Sequence, residues 1–251
     1  MVKLPTIDII IPNYNKAKYL NQCLDSIISQ TYKSWKIYLV DDNSTDNSEE
    51  ILQKYEKFDN VNFFFLKENK GPAFCRNYGI QKSESDYLAF MDSDDFWPKN
   101  KLEKQLNEML KNDYSFTYTN YYYFYRDNEK NIKLVDLPLF LDFKNFLLQS
   151  SMSTSSIIIS RKTLGNIRFK DVEQEDYLFK CDLLKNGETA FKAKDTHVFY
   201  RINFNNRSSN KLKNILSVWK INKLQNKLSF FANLKSIFFI SLNSLKKYGW
   251  K

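Results

Sequence analysis

Short apolar runs alternate with segments of helical periodicity from residue 7 to residue 110 of this 251-residue chain. An apolar run of this kind predicts a buried strand, and apolar residues three or four positions apart predict the helix that follows it. Repetition of the unit indicates an open, largely parallel sheet flanked by helices, and therefore the α/β class. The predicted strands are residues 7–11, 36–40, 61–66 and 87–91.

Each of these predicted strands is followed by a cluster of polar side chains. The clusters begin at Pro12, Asp41, Asn69 and Asp92. In an open α/β sheet, ligands bind in the crevice outside the carboxyl ends of the strands. We therefore expect the four clusters to meet in one binding site.

Beyond residue 113 the pattern changes to that of an α+β region. An aromatic strand is predicted over residues 114–125, a short helix over 143–148 and a further strand over 154–160. The spacing of apolar residues predicts another helix over 176–185, which an Asn-Gly pair would end. This half of the chain therefore adds mixed elements to the parallel sheet.

The last 56 residues contain eleven lysine and arginine residues and no acidic residue, whereas residues 1–195 are nearly neutral. Apolar residues recur at near-helical spacing from 211 to 247, which predicts a basic amphipathic tail in two helical pieces. We divide the chain into a body at 1–209, with halves of about 1–112 and 113–209, and a tail at 210–251.

The cysteines and the apolar stretches restrict where the chain is expected to work. Cys23, Cys75 and Cys181 form no C-x-x-C pair, which argues against a zinc ribbon or a disulfide framework and favours a reducing compartment. The start lacks the pattern of a secretory signal, and the most apolar late stretch is interrupted by polar residues. We expect a cytoplasmic protein, peripheral at most on the inner face of the membrane.

Three carboxylates follow the fourth predicted strand, in the segment Asp92-Ser93-Asp94-Asp95. Carboxylates one residue apart can converge on a hard divalent cation such as Mn²⁺ or Mg²⁺, which takes oxygen ligands and accepts phosphate oxygens as well. The alternative is structural, because acidic residues before a helix also cap its first turn.

Three further side chains suit a nucleotide. Asp42, after the second strand, can accept the imide N–H of uracil or a ribose hydroxyl, although residues of its cluster can equally cap a helix. Tyr14 can stack on a base, and Arg76 can neutralise a diphosphate, although a helical arginine is often only solvated.

The order of these clusters resembles the family 2 glycosyltransferases, nucleotide-sugar enzymes of the GT-A fold. The resemblance covers residues 5–209 and includes an acidic motif in the acceptor half and a Tyr-Arg motif near its end. The matching segments are residues 9–15 (IIIPNYN), 30–32 (QTY), 40–46 (VDDNSTD), 69–71 (NKG), 76–79 (RNYG), 90–95 (FMDSDD), 175–179 (EDYLF) and 200–201 (YR).

The resemblance implies a role for each candidate residue. Asp176 would be the catalytic base that takes the proton of the acceptor hydroxyl, and Asp94 with Asp92 would bind the divalent metal. From the residues alone, Glu175 and Asp176 could instead be acids at a helix start. Glu175 and Arg201 are secondary candidates. The residues that would bind the nucleotide sugar are Pro12, Tyr14, Asn15, Asp42, Arg76, Asp92 and Ser93.

Two departures from the family pattern limit this transfer of roles. Many members have a histidine two residues after the arginine of the Tyr-Arg motif, where this chain has Asn203. The single histidine, His197, lies in a strand-like run, and we expect it to pack in the core. The chain also lacks the Gln-x-x-Arg-Trp motif of processive synthases, which favours transfer of one sugar.

The resemblance predicts an inverting, metal-assisted transfer from a UDP-sugar to a glycan or lipid-linked acceptor in bacterial surface polysaccharide or lipooligosaccharide synthesis. One alternative is a sugar nucleotidyltransferase, although that class needs a Gly-rich phosphate loop after the first strand. The other is a non-catalytic module in which the tail binds anionic lipid or nucleic acid. We expect no nucleic-acid partner. The tail can dock on an anionic membrane, or pack on the domain or on a second subunit of a homo-oligomer.

Overall fold

The computed structural model describes residues 4–125, 132–202 and 211–248. Its first half is a parallel sheet in the order β3-β2-β1-β4, and the side chains of residues 7 to 11 at its centre are fully buried. This arrangement confirms the predicted α/β class. The four strands are β1 (Ile7–Asn13), β2 (Trp35–Asp41), β3 (Val61–Phe65) and β4 (Tyr87–Phe90).

Helices connect these parallel strands and cover the sheet. The apolar stripe of the first helix is buried at Leu20, Cys23, Leu24 and Ile27, which fixes that helix against the sheet. In the third helix, Gly79 lies against β1 so closely that a Cβ there would come within 2.8 Å of Ile10 Cγ2. The helices are α1 (Ala17–Ile28), α2 (Ser48–Gln53), α3 (Gly71–Lys82) and α4 (Lys101–Asn112).

The second half extends the same sheet with strands of both directions. Beyond β4 the order continues β8-β5-β9-β7, with β5 and β9 parallel and the contacts of β8 antiparallel. These elements are β5 (Phe116–Tyr125), β6 (Lys133–Val135), β7 (Phe140–Leu141), α5 (Phe143–Gln149), β8 (Ile158–Ser160), α6 (Arg161–Leu164), α7 (Glu175–Lys185) and β9 (Ala190–Ile202).

Two expectations for this half need correction. The strand predicted over 154–160 begins only at Ile158, because Thr154–Ser156 forms a 3₁₀ turn. The Ser156 hydroxyl donates to the carbonyl of Ser153 at 2.6 Å, a local bond that competes with strand pairing. The His197 ring is half-buried rather than in the core, with its edge or face against Tyr122 and Phe199.

The tail forms the two predicted helices, α8 (Lys211–Leu224) and α9 (Phe230–Tyr248). Both pack on the second half of the body: Asn222 accepts from the Tyr177 hydroxyl at 2.8 Å, and Ser236 donates to the carbonyl of Leu147 at 2.6 Å. The predicted boundary at 209/210 and Asn203 lie outside the described residues. Within the described ranges, no helix has the length and apolar character needed to cross a membrane.

Candidate active site

A cleft of about 1380 Å³ lies at the carboxyl ends of β1, β2 and β4. Every site residue that the sequence singles out contributes to its lining, from Pro12 on β1 to Arg201 on β9. The start of α7 supplies Glu175 and Asp176, and the tail supplies Lys213 and further residues. The structure therefore brings together polar clusters that are separated by up to 190 residues of sequence.

At one end of the cleft, the carboxylate of Asp42 is held by backbone amides. Its two oxygens accept from the N–H groups of Lys70 at 2.6 Å and Gly71 at 2.8 Å, where α3 begins. Gly71 has a φ of 82°, a left-handed conformation that glycine adopts without steric cost. A carboxylate has about four lone-pair positions, so two accepted bonds leave capacity for a ligand donor.

The loops after β1 and β2 are tied to each other beside Asp42. The Asn13 amide donates to Asp41 at 2.7 Å, and the Asn15 side-chain oxygen accepts from the Thr45 N–H at 2.7 Å. Asn15 therefore connects two loops, while the ring of Tyr14 is 46% exposed. This rigid pair of loops leaves the Tyr14 ring accessible to a planar ligand.

Arg76 joins the two halves of the body across the cleft. Its guanidinium contacts Asp92 at 2.7 Å and Glu175 at 3.1 Å, although the side chain is only 6% exposed. Burial alone would lower the pKa of Arg76, but Asp92 and Glu175 raise it above its usual value. The arginine therefore holds a permanent positive charge between β4 and α7.

The other two carboxylates after β4 have different surroundings. Asp94 lines the cleft and contacts the Lys16 ammonium at 2.6 Å. Asp95 is buried, and it accepts from the Ser155 hydroxyl and from the Arg201 backbone N–H. Burial, together with the charges of Asp94 and Asp92, raises the pKa of Asp95 well above its usual value. Asp95 thus stabilises the loop, while Asp92 and Asp94 face the cleft.

A divalent metal with a diphosphate fits this donor set. Within the described part of the chain, no three histidine, cysteine or acidic residues are grouped to hold a metal by themselves. Mg²⁺ sites in nucleotide enzymes commonly use only one or two carboxylates, with the remaining ligands from water and phosphate. The side chains of Asp92 and Asp94 are 30% and 12% exposed, so both carboxylates reach the cleft.

Asp176 lines the cleft from the start of α7, with its side chain 37% exposed. It contacts the Lys180 ammonium at 2.8 Å, one helical turn along α7. Burial would raise the pKa of Asp176, but Lys180 and then Arg76 outweigh it, and the pKa lies below its usual value. The carboxylate is therefore ionised at neutral pH, as a proton acceptor must be.

Arg201 supports the acidic loop from behind. Its guanidinium donates to the Asp94 carbonyl at 3.1 Å and to Gln22 at 2.6 Å, and it lies between the rings of Tyr19 and Phe124. The side chain is 3% exposed. Its position indicates that it fixes the loop geometry rather than meeting the reacting atoms.

Sequence reasoning missed several lysines that line the cleft, among them Lys247, whose pKa is lowered to about 7 by burial and by Lys180. Two had a local signal: Lys16 follows the first cluster directly, and Lys180 lies four residues after Asp176, on the same helical face. Lys213 and Lys247, from the tail, had none, because only the folding of α8 and α9 onto the body brings them to the cleft.

The family model described as glycosyl transferase family 2 matches residues 8–169. Among curated relatives, the putative teichuronic acid biosynthesis glycosyltransferase TuaG of Bacillus subtilis is 32% identical over 97% of this chain and 97% of its own length. WfgD of Escherichia coli is 29% identical over 86% of this chain and 84% of its own length. Its name is UDP-Glc:alpha-D-GlcNAc-diphosphoundecaprenol beta-1,3-glucosyltransferase.

A solved structure is similar to the whole described architecture. The crystal structure of S. aureus TarS 1-349 in complex with UDP-GlcNAc superposes with a TM-score of 0.73 at 18% identity, over 96% of this chain and 73% of that one. At 18% identity the comparison shows a shared fold, which is the mixed sheet with its flanking helices. The two chains share a fold, which is the GT-A architecture expected from the sequence.

Proposed function

The chain belongs to glycosyl transferase family 2, and from that premise we propose that it transfers one sugar from a UDP-sugar to a hydroxyl group of a lipid-linked glycan. The proposed transfer inverts the anomeric carbon and serves the synthesis of a bacterial surface polysaccharide or lipooligosaccharide. The names of TuaG and WfgD support this reading, since they describe a polysaccharide glycosyltransferase and a UDP-glucose enzyme with a diphosphoundecaprenol acceptor.

One observation carries the proposal: a single cleft is lined by Asp42 after β2, Tyr14 after β1, Asp92 and Asp94 after β4, and Asp176 at the start of α7. A nucleoside, a diphosphate and an acceptor hydroxyl need these chemistries in this order. A module that only binds its ligand would not require a further carboxylate facing the position of the diphosphate.

At the donor end, Asp42 would accept the imide N–H of uracil, and Tyr14 would stack on the base. The amides of Lys70 and Gly71 already orient the Asp42 carboxylate, so binding requires little reorganisation of that side chain. Arg76 and Lys16 supply positive charge where the diphosphate would lie.

Asp94, with Asp92, would hold Mn²⁺ or Mg²⁺ against the diphosphate. When bound, such an ion neutralises charge on the leaving diphosphate. Asp94 and Asp92 already contact Lys16 and Arg76, so these two cations hold the carboxylates in the cleft. Asp95 has no part in this role because it is 1% exposed, does not line the cleft and is turned toward Ser155 and the Arg201 backbone.

On the acceptor side, Asp176 would accept the proton of the acceptor hydroxyl as that oxygen attacks the anomeric carbon. The bond from the anomeric carbon to the diphosphate oxygen breaks on the opposite face, which inverts the configuration. Lys180 holds the Asp176 carboxylate and also donates to the Met152 carbonyl at 2.8 Å, so the base has a fixed position.

The test is a transfer assay with the full chain, a panel of UDP-sugars and a diphosphoundecaprenol-linked sugar, with and without Mn²⁺ or Mg²⁺. We expect release of UDP, a product one sugar heavier and inverted anomeric configuration by NMR. Asp176→Asn should reduce transfer by about 10²–10⁴ while UDP-sugar binding persists, because it keeps the shape and removes the base.

Glu175→Gln is the matched control for that variant, because it removes a neighbouring carboxylate that faces Arg76. A dead Glu175→Gln with an active Asp176→Asn would reassign the base. Formation of a UDP-sugar from UTP and a sugar phosphate, without transfer, would identify a nucleotidyltransferase and end the proposal.

A further inference from the structure

Each helix of the tail buries polar side chains together with a few apolar ones and leaves large apolar side chains exposed. In α9, Asn233 and Ser236 are each 1% exposed and hydrogen-bond to Trp219 and Leu147 of the protein. The opposite face presents large apolar side chains to the outside. An amphipathic helix of a globular protein normally buries its apolar face instead. Those exposed residues are Phe230 at 63%, Phe231 at 79%, Leu234 at 50% and Phe238 at 61%.

The same arrangement occurs in α8, and its exposed apolar side chains adjoin those of α9. Ser217 and Asn222 are buried, whereas Leu212, Leu216 and Leu224 are 76%, 61% and 65% exposed. Trp219 of α8 meets Phe230 of α9 edge to face, with ring centroids 5.7 Å apart. The exposed side chains of the two helices therefore form one continuous surface, here called the apolar face.

Lysines accompany the apolar face along both helices. Beyond Asp195 the chain has no acidic residue at all. Lysine stems can lie on apolar surroundings while their ammonium groups reach polar headgroups. The exposed lysines of the tail include Lys220 and Lys223 of α8, Lys227 between the helices, and Lys235 and Lys246 of α9.

We propose that the apolar face of α8 and α9 docks on the surface of an anionic lipid bilayer. Its phenylalanines and leucines would enter the boundary between headgroups and acyl chains, and its lysines would meet the anionic headgroups. The occupant must be apolar at its centre and negative around it. A bilayer containing phosphatidylglycerol has both properties.

Charge argues against a second copy of the chain on this surface. A symmetric dimer would place the apolar face against itself and bring its lysines close to the same lysines of the partner, with no acid in either tail to compensate. Like charges in an interface oppose association.

Docking in this orientation would also place the cleft near the membrane. Lys213 and Asn214 of α8 and Lys247 of α9 line the cleft, while other residues of the same helices form the apolar face. This consequence rests on the proposed function, but membrane docking itself does not, because it needs no sugar transfer.

Vesicle sedimentation of the full chain tests the proposal. We expect the chain to bind vesicles of phosphatidylcholine with phosphatidylglycerol, to bind phosphatidylcholine alone much less, and to bind more weakly at high salt because the headgroup charges are screened. Phe231→Ser with Phe238→Ser should lower the partition coefficient by roughly a hundredfold, since two buried rings are lost.

The matched control is Leu139→Ser with Phe140→Ser, a pair that is 63% and 49% exposed on the body. It should bind vesicles like the unmodified chain. Circular dichroism checks that each variant is folded, which we expect because all four side chains lie at the surface.

Three outcomes would overturn the proposal. They are equal binding to neutral and anionic vesicles, unchanged binding of the Phe231→Ser, Phe238→Ser variant, and a dimer in sedimentation equilibrium that this variant abolishes. Loss of sugar transfer with intact vesicle binding would count against the proposed function alone, so the two proposals fail separately.

Discussion

Asp176 and Lys180 form a pair in which the lysine sets how the carboxylate behaves in acid. Burial of the carboxyl group opposes ionisation, but the ammonium 2.8 Å away favours it more strongly, so the pKa of Asp176 is lowered. Since the folded pKa lies below the unfolded one, ionised Asp176 contributes stability above the unfolded pKa, and this contribution is lost as pH falls through the folded pKa. A base held in this way stays competent in weak acid.

We predict that Lys180→Met raises the pKa of Asp176 and moves the acid limb of the transfer rate upward by about one pH unit. The measurement is kcat against pH under saturating donor and acceptor. Lys170→Met is the control, because Lys170 contacts Asp182 and not Asp176. An acid limb that stays in place in Lys180→Met would show that another group titrates.

At the scale of the element, the approach of α3 to β1 places Arg76 at the cleft, together with the backbone amides of Lys70 and Gly71 that hold the Asp42 carboxylate. Gly79 makes this approach possible, since a side chain there would press on Ile10 in the middle of the sheet. On the same face of β1 and nearer its start, buried Asp8 accepts from the N–H groups of Glu84 at 2.8 Å and Ser85 at 2.7 Å, which fixes the turn from α3 into β4. Helix and strand are therefore positioned from both ends.

We predict that Gly79→Ala lowers the free energy of unfolding by about 1–3 kcal/mol, because overpacking against Ile10 exceeds the roughly 1 kcal/mol that alanine contributes as a better helix former. Urea denaturation measures the change. Gln81→Ala, exposed on the same helix, should be neutral or stabilising. Equal stability of Gly79→Ala and the unmodified chain would mean that Ile10 can move aside at no cost.

Most residues of the cleft are predictable from the sequence, because the ends of strands and the polar clusters that follow them are local patterns. Parallel strands bring those clusters to one edge whatever the details of packing. The pattern does not tell which of Asp92, Asp94 and Asp95 faces the cleft, since that depends on Ser155 and the Arg201 backbone, which lie 60 and 106 residues from Asp95 along the chain. The 3₁₀ turn at Thr154–Ser156 was likewise hidden, because its hydroxyl bonds override an apolar strand pattern.

For the whole molecule, the tail is a structural part of the body rather than an appendage. Asn222 lies at the centre of its attachment: it accepts from Tyr177 and Asn226 and donates to Ser236 at 3.0 Å, with no exposed surface. Polar groups buried in this way stabilise the contact only while each has its partner. The sequence predicted the two helices, but not that Asn222, Asn233 and Ser236 would be buried while large apolar side chains stay exposed.

We predict that the chain unfolds in one cooperative transition and that Asn222→Ala lowers its free energy of unfolding by about 1–3 kcal/mol, because buried partners are left unsatisfied. Far-ultraviolet dichroism and tryptophan emission, to which Trp219 contributes, should give the same midpoint. Asn145→Ala is a poor control for this variant, because Asn145 caps no helix of the tail. Asn243→Ala is the better control: it loses one hydrogen bond to Leu148, so we expect a smaller loss of unfolding free energy. Two separate transitions would show that the tail folds independently.

The contribution of Lys247 to the cleft has a consequence during protein synthesis. Ribosomes build a chain from its N-terminus, so the parallel half is made before the tail, and the cleft wall is complete only when α9 has been made. At about 5–20 residues per second, roughly four to fourteen seconds separate the synthesis of Asp176 from that of Lys247. During this interval the nascent chain has its proposed base but lacks the part of the cleft wall that Lys247 supplies, so substrate capture in its final form awaits the synthesis of α9.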